Sequence, residues 1–204
     1  MIRTLAILGL LVPSALAAQA RPDSLPPRWA APTRGLLFGV TAFTQGQWQP
    51  SGLELGLTHA SAGSSRSVYA MIRLGSFSQD QAVLLSQTQG FFTAMLFGVR
   101  VPLATLAEVG AEGEPSQYLR VLGVLEAGPE LNVDSPLPQG NAMGVVSPLV
   151  GIGFGGGAGL AQDFAILVGP SWFIGRTTTV HVQVTLRYQM PLGVPGGGRR
   201  RGRR

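Results

Sequence analysis

The chain has 204 residues, of which 45% are hydrophobic, 12% are charged and 29 are glycine. A soluble domain normally carries about twice that share of charged residues, so this composition is unusual for one. Cysteine is absent, which excludes disulfide bonds and thiolate metal sites. The length suits one domain with a real core rather than two domains.

The basic residues are concentrated at the C-terminal end. The chain has 15 basic and 10 acidic residues, and its formal net charge is +5. Five of the basic residues lie in the last six positions: Arg199, Arg200, Arg201, Arg203 and Arg204. Without these five and Arg3 the body is near neutral, so we expect no nucleic-acid partner. The Arg tail either meets anionic headgroups, such as those of lipopolysaccharide, or stays solvated.

The first twenty residues have the three parts of a secretory signal peptide. Arg3 precedes an apolar run over 5–12, and small residues end at Ala20, after which we expect cleavage. The run is far shorter than the roughly 20 residues of a membrane-spanning helix. We therefore predict a signal peptide at 1–20, an irregular mature N-terminus at 21–34, a single domain at 35–190 and a flexible Gly/Arg-rich tail at 191–204.

The body of the chain is a series of runs in which apolar and polar residues alternate, and turn-forming residues separate these runs. Alternation over at least four residues, with β-branched and aromatic enrichment, indicates a β-strand with two unlike faces. We predict eight strands, at 36–44, 52–60, 67–77, 90–101, 117–129, 142–155, 164–174 and 179–188. Hairpin-like spacing, without a helix long enough for a crossover, indicates an antiparallel meander.

The charged strand residues share one face with the glycines, serines and threonines. They are Glu54, Arg73, Arg100, Arg120, Glu126, His181 and Arg187. The opposite face consists of Val, Leu, Ile and Phe, with almost nothing polar. A narrow barrel interior suits the first face, because mixed charges can pair across it and offset the cost of their burial. We expect His181 to join Arg187 and Glu126 there.

The apolar face would expose a large hydrophobic belt if water surrounded it, which soluble monomers avoid. Lipid fits that face, and an open sheet edge in lipid would leave backbone groups unsatisfied, so the sheet must close. The sequence therefore predicts an all-β, eight-stranded antiparallel up-and-down transmembrane β-barrel. Aromatic residues near the strand ends are candidate girdle residues at the membrane surfaces. These are Phe43, Trp48, Tyr69, Trp172 and Tyr188.

The chain resembles small outer-membrane barrel proteins of the OmpA/OmpX type in its signal peptide, its number of strands and the alternation of apolar and polar residues. The resemblance covers about Gly35 to Met190. The resemblance implies a monomer in the outer membrane, in contact with its lipid, with a structural or loop-presenting role, no enzymatic activity and no cofactor. Eight strands leave no room for a large pore. With periplasmic termini, 78–89 and 132–141 become extracellular loops and 102–116 a long periplasmic turn. Such barrels usually end at an aromatic residue, whereas Gln189 follows Tyr188 here.

Two motifs suggest other chemistry. Residues 151–156 match the Gly-x-Gly-x-x-Gly dinucleotide fingerprint, but the mechanism requires a helix after the motif and another strand follows instead. Glycines on the lumen face that make room for Arg and Tyr side chains explain the motif better.

His181 has no second His or carboxylate at ligand spacing, so we expect no metal site.

His59 and Ser61 resemble the His and Ser of outer-membrane lipid A deacylases, which lie two apart on a strand and act with a carboxylate. A lipid-modifying hydrolase is therefore an alternative function, although the third member of the constellation is unassigned. Glu54 lies on the opposite parity from His59. A secreted soluble barrel that carries a small ligand is the other alternative.

Overall fold

The fold is that of a computed structural model, which describes residues 33–44, 49–60, 66–78, 88–109, 117–134, 140–156 and 162–192. The predicted signal peptide, most of the predicted irregular N-terminus and almost all of the Arg tail lie outside these residues. Within the described residues, no helix is long and apolar enough to cross a membrane.

Eight strands follow one another and form one closed antiparallel barrel in the order β1 to β8. They are β1 (Thr33–Thr44), β2 (Gln49–Ala60), β3 (Ser67–Ser78), β4 (Thr88–Val109), β5 (Gln117–Val133), β6 (Ala142–Gly156), β7 (Gln162–Ile174) and β8 (Thr178–Pro191). The predicted all-β fold, with eight strands in a closed antiparallel up-and-down barrel, is confirmed. We call the end where β1 begins and β8 ends the terminal rim, and the opposite end the loop rim.

The barrel closes between its first and last strands. Antiparallel pairs run from Gly35 opposite Pro191 to Thr44 opposite Val182. Closure removes the two edges of the sheet, so the backbone donors and acceptors of β1 and β8 bond to each other instead of lying open. The seam also brings Arg187 of β8 next to Gly39 of β1.

Strand β4 is longer than its sequence pattern predicts. The predicted connection over 102–116 is wrong in its first half, because β4 continues to Val109 opposite Gln117 of β5. The register shifts between Pro102 and Ala104 and again between Thr105 and Ala107. Each such bulge inserts an unpaired residue and changes the parity of the strand. The alternation therefore disappears although the pairing continues.

The outer surface of the barrel is an apolar belt to which every strand contributes. Leu53 is 67% exposed, Phe91 62% and Val180 54%. The only exposed Asp, Glu and Arg side chains of the described residues lie at the rims or beyond strand ends: Arg34, Arg66, Glu108, Asp134 and Arg176. Between the rims, every described charged side chain points into the barrel.

The lumen is filled by side chains. On one side it contains a buried apolar cluster that includes Leu96, Leu122 and Leu167. Toward the loop rim it contains packed rings, with centroids 5.3 Å apart for Phe43 and Phe173 and 5.5 Å apart for Phe77 and Phe92. The interior is thus a packed core, half apolar and half polar.

Two of the five candidate girdle residues are misplaced in the sequence prediction. Phe43 and Tyr69 are 3% and 5% exposed and point into the lumen, because Phe43 shares the parity of the buried Thr41 on β1 and Tyr69 that of Arg73 on β3. Trp172 and Tyr188 lie on the outer face. Trp48 falls outside the described residues.

Candidate functional site: the charged lumen

Four of the predicted lumen residues meet near the middle of the barrel. Glu54 on β2 lies directly opposite Arg73 on β3. Gly39 on β1 separates Glu54 from Arg187 on β8, since it pairs with both. Glu126 reaches the same point from β5 on the other side of the lumen. With Tyr69 and Gln183, these residues form what we call the central network.

Each Arg of the central network bridges both carboxylates. Arg73 Nη2 donates to Glu54 Oε1 and to Glu126 Oε1, both at 2.7 Å. Arg187 donates from Nε to Glu54 Oε2 and from Nη2 to Glu126 Oε2, both at 2.6 Å. All four side chains are at least 96% removed from solvent. The ring of alternating charges is neutral, which is what permits its burial.

Neutral side chains complete the hydrogen bonding of Glu126. The Tyr69 hydroxyl donates to Glu126 Oε2 at 2.8 Å and accepts from Arg187 Nη1 at 3.0 Å. Gln183 Nε2 donates to Glu126 Oε1 at 3.0 Å, and its own Oε1 accepts from Ser171 Oγ at 2.5 Å. Glu126 thus accepts from four donors, counting both Arg.

Two inward glycines make room for the central network. A Cβ on Gly39 would lie 2.6 Å from Glu54 Oε2, and a Cβ on Gly98 would overlap the ring of Tyr69. Any larger residue at these positions would displace an ionic or hydrogen-bonding member. This local geometry explains why the polar face is rich in glycine.

A second polar cluster lies near the terminal rim. Arg100 forms an ion pair with Asp163 and donates from Nη1 to its Oδ1 at 2.9 Å. The Tyr118 hydroxyl donates to Asp163 Oδ2 at 3.3 Å. The guanidinium of Arg120 lies 4.1 Å from the ring centroid of Tyr118, in cation–π contact. Arg100 and Arg120 therefore belong to the lumen but not to the central network.

His181 lies near the loop rim, apart from the central network. Its Nδ1 lies 3.1 Å from the Thr44 carbonyl oxygen and its Nε2 2.8 Å from Thr179 Oγ1. Its ring packs 5.1 Å from that of Phe173. The expectation that His181 joins Arg187 and Glu126 is wrong, because both ring nitrogens of His181 are directed to Thr44 and Thr179. Six residues of strand also separate it from Arg187, roughly 20 Å at 3.3 Å per residue.

Two buried carboxylates were missed by the sequence reasoning, and both lie just beyond a predicted strand boundary. Asp163 precedes the predicted start of β7, and Glu130 follows the predicted end of β5. Both keep the parity of their strand, which is the signal that could have identified them. With them the lumen holds Arg73, Arg100, Arg120 and Arg187 against Glu54, Glu126, Glu130 and Asp163.

Glu130 is placed differently from the other lumen carboxylates. It is 2% exposed, and its Oε2 has no hydrogen-bond partner. Ala94 lies between it and Arg73 in the register of β3, β4 and β5. Glu130 is therefore two strands away from Arg73 and outside the central network.

His59 is exposed on the outer face, on the opposite side of the sheet from Glu54. No carboxylate of the described residues is hydrogen-bonded to it, and Ser61 lies outside those residues. The described part of the chain also holds no group of three or more His, Asp or Glu residues that could bind a metal ion.

The glycine motif at 151–156 lies entirely within β6, and β7 begins at Gln162. A Cβ on Gly153 would overlap Leu122, so this glycine makes room for an apolar neighbour rather than for the expected Arg or Tyr. A dinucleotide site requires a helix N-terminus at this point, and the described residues provide none.

No protein-family model matches the sequence, and no curated protein is significantly similar to it.

Proposed function

We propose that the chain is an outer-membrane β-barrel protein of the OmpA/OmpX-like kind, with a structural or loop-presenting role and without a large pore. The observation that carries this proposal is the partition of side chains by the barrel wall. Large apolar side chains cover the outside, and the charged ones between the rims are all inside.

The partition favours lipid over water as the surrounding solvent. Soluble proteins rarely expose a contiguous apolar patch of more than a few hundred Å². Here apolar residues such as Leu55, Ile72 and Met95, each more than half exposed, follow one another around the wall. A soluble ligand-carrying barrel would have the reverse arrangement, with an apolar cavity and a charged exterior.

The packed lumen argues against a water-filled channel. An eight-stranded barrel has an interior just wide enough for side chains. The central network spans it from β2, β3 and β8 to Glu126 on β5, and the rings of Phe43, Phe77, Phe92 and Phe173 lie between this network and the loop rim. A permeating ion would have to displace bonds of 2.6–2.7 Å between buried charges.

The proposal favours a role for the loops or the outer wall, because the charges of the central network are paired with each other. Its test is the location of the full-length chain in a bacterium with two membranes. After separation of the membranes on a density gradient, we expect the chain in the outer-membrane fraction and no steady large conductance when it is reconstituted in planar bilayers. Recovery from the soluble periplasm, or steady large channels, would contradict the proposal.

The lipid-modifying hydrolase remains a separate hypothesis, centred on His59 and Ser61. Because His59 faces outward, between Arg34 on β1 and Val68 on β3, a lipid could approach it. Ser61→Ala tests the idea directly: unchanged lipid A species by mass spectrometry, compared with the unmodified chain, would remove it.

A further inference from the structure

A groove crosses the outer wall of the barrel near the terminal rim, from β1 to β5. It has a volume of about 1010 Å³. Its walls are the outward side chains of Leu57, Val68, Phe97, Val99 and Leu125, and Arg34 and His59 lie at its end on the rim. The groove is therefore apolar along its length and basic or hydrogen-bonding at one end.

Small residues produce the depressions in this surface. Phe97 on β4 has Ala70 opposite it on β3 and Ala127 opposite it on β5. Because an Ala side chain is much shorter than Phe, each Ala leaves a depression beside the Phe97 ring. Apolar depressions of this kind suit hydrocarbon chains.

The polar end of the groove is made by a cross-strand pair. Arg34 on β1 lies directly opposite His59 on β2, and both are exposed on the outer face. Side chains of directly opposed residues are about 4.5–5.5 Å apart at Cβ, so one phosphate can contact both. Arg66, which immediately precedes β3, is also exposed, and the next residue, Ser67, lies opposite Ala60.

The charge of the groove favours an anionic occupant. Arg34 and His59 form no hydrogen bond or ion pair through their side chains with any other described residue. The described acidic side chain nearest to this rim on the outside is Glu108, on the part of β4 that continues past Pro102. The guanidinium and imidazole can therefore donate to an anion without breaking an existing pair.

We propose that this groove binds an anionic glycerophospholipid, with its phosphate on Arg34 and His59 and its acyl chains beside Phe97. The inference rests on the proposed membrane location, in which the terminal rim faces the periplasm and the groove meets the inner leaflet.

The test uses the full-length chain reconstituted in nanodiscs that contain equal amounts of phosphatidylglycerol and phosphatidylcholine with identical acyl chains. After mild removal of bulk lipid, the lipid retained per protein is counted by native mass spectrometry. We expect phosphatidylglycerol to be enriched on the unmodified chain. A basic residue near an anionic lipid surface is worth about a fivefold change in binding, so R34Q/H59Q should lower the enrichment by about that factor or more.

Two further variants separate a built site from general charge attraction. R176Q removes the same charge from an exposed position in the β7–β8 turn at the loop rim and should leave the enrichment unchanged. A70F fills a depression without altering charge and should also lower the enrichment. Equal retention of the two lipids by the unmodified chain, an equal loss in R176Q, or no effect of A70F would each overturn the inference.

Folding is checked on the same samples by gel migration before and after heating. If the chain inserts and its band shifts on heating, but the lipids are retained equally, the lipid site fails and the membrane barrel stands. If the chain does not insert, the proposed function fails first.

Discussion

Removing the charge of Glu126 should destabilise the barrel strongly. Glu126→Gln keeps the shape of the side chain but leaves Arg73 and Arg187 with Glu54 as their shared carboxylate. Glu126 is 0% exposed and accepts bonds of 2.7 and 2.6 Å from the two Arg. Breaking a buried pair by removing one partner costs about 3–5 kcal/mol, and we expect a loss of that size in the free energy of unfolding.

The assay is equilibrium unfolding in urea of the chain folded in lipid vesicles, followed by Trp fluorescence and extrapolated linearly to zero denaturant. Asp134→Asn is the matched control: it removes one negative charge from an exposed residue at φ 52°, a conformation that Asn tolerates. Surface substitutions of this kind usually stay within about 0.5 kcal/mol.

A double-mutant cycle with Arg187→Gln tests whether the cost comes from the ion pair itself. If it does, the double variant is more stable than the sum of the single losses predicts, by about 0.5–3 kcal/mol. A loss for Glu126→Gln as small as that for Asp134→Asn would refute the reasoning. Strict additivity of the two single losses would refute the pairing.

Three further predictions follow from the wall and the lumen. Ile72→Arg, on the outer face next to Arg73 of the central network, should lower stability in lipid by about 2–4 kcal/mol, the cost of an Arg near the bilayer midplane; a negligible effect would mean that the faces are reversed. Gly98→Ala should displace the Tyr69 ring and cost about 1–3 kcal/mol, measured by the same unfolding assay, and an unchanged midpoint would contradict the close packing. The double variant R34Q/H59Q should fold as well as the unmodified chain, because both side chains are exposed, and a lost heat-shifted band would contradict this.

The alternation of the sequence was sufficient to predict the number of strands, their faces and their order. In β8, the residues His181, Gln183, Thr185 and Arg187 are all buried, and their neighbours Val180, Val182, Val184 and Leu186 are all exposed. In β8 the period of two is unambiguous, because the inward side chains are polar and the outward ones are apolar. The pairing of β8 with β1 follows from the predicted strand order, because a barrel closes only when its first and last strands pair.

The ends of the strands could not be predicted with the same accuracy. Bulges near Pro102 and Thr105 change the parity of β4 while its hydrogen bonds to β5 continue, so the pattern resembles a loop. Asp163 and Glu130 were missed because a charged residue at a strand end resembles the start of a turn. Their parity, continued past the predicted strand ends, is consistent with an inward side chain, but the sequence does not show that the strands extend that far.

Partners across the lumen could not be predicted at all. Sequence places Glu54, Arg73, Arg187 and His181 on one face, but it does not give their heights in the barrel. The stagger of neighbouring strands brings Glu54 to Arg187, which are 133 positions apart along the chain, and leaves His181 near the loop rim. Tyr69 was predicted at the membrane surface, whereas its hydroxyl is part of the central network.

The most direct test of a closed barrel in a membrane is the behaviour of the full-length chain in membranes without detergent. We expect it to remain with the membrane pellet after extraction with urea, and to migrate faster on a gel when it is not heated than after boiling, because a closed barrel resists unfolding by the gel detergent. Recovery in the aqueous phase, with identical migration before and after heating, would contradict the account.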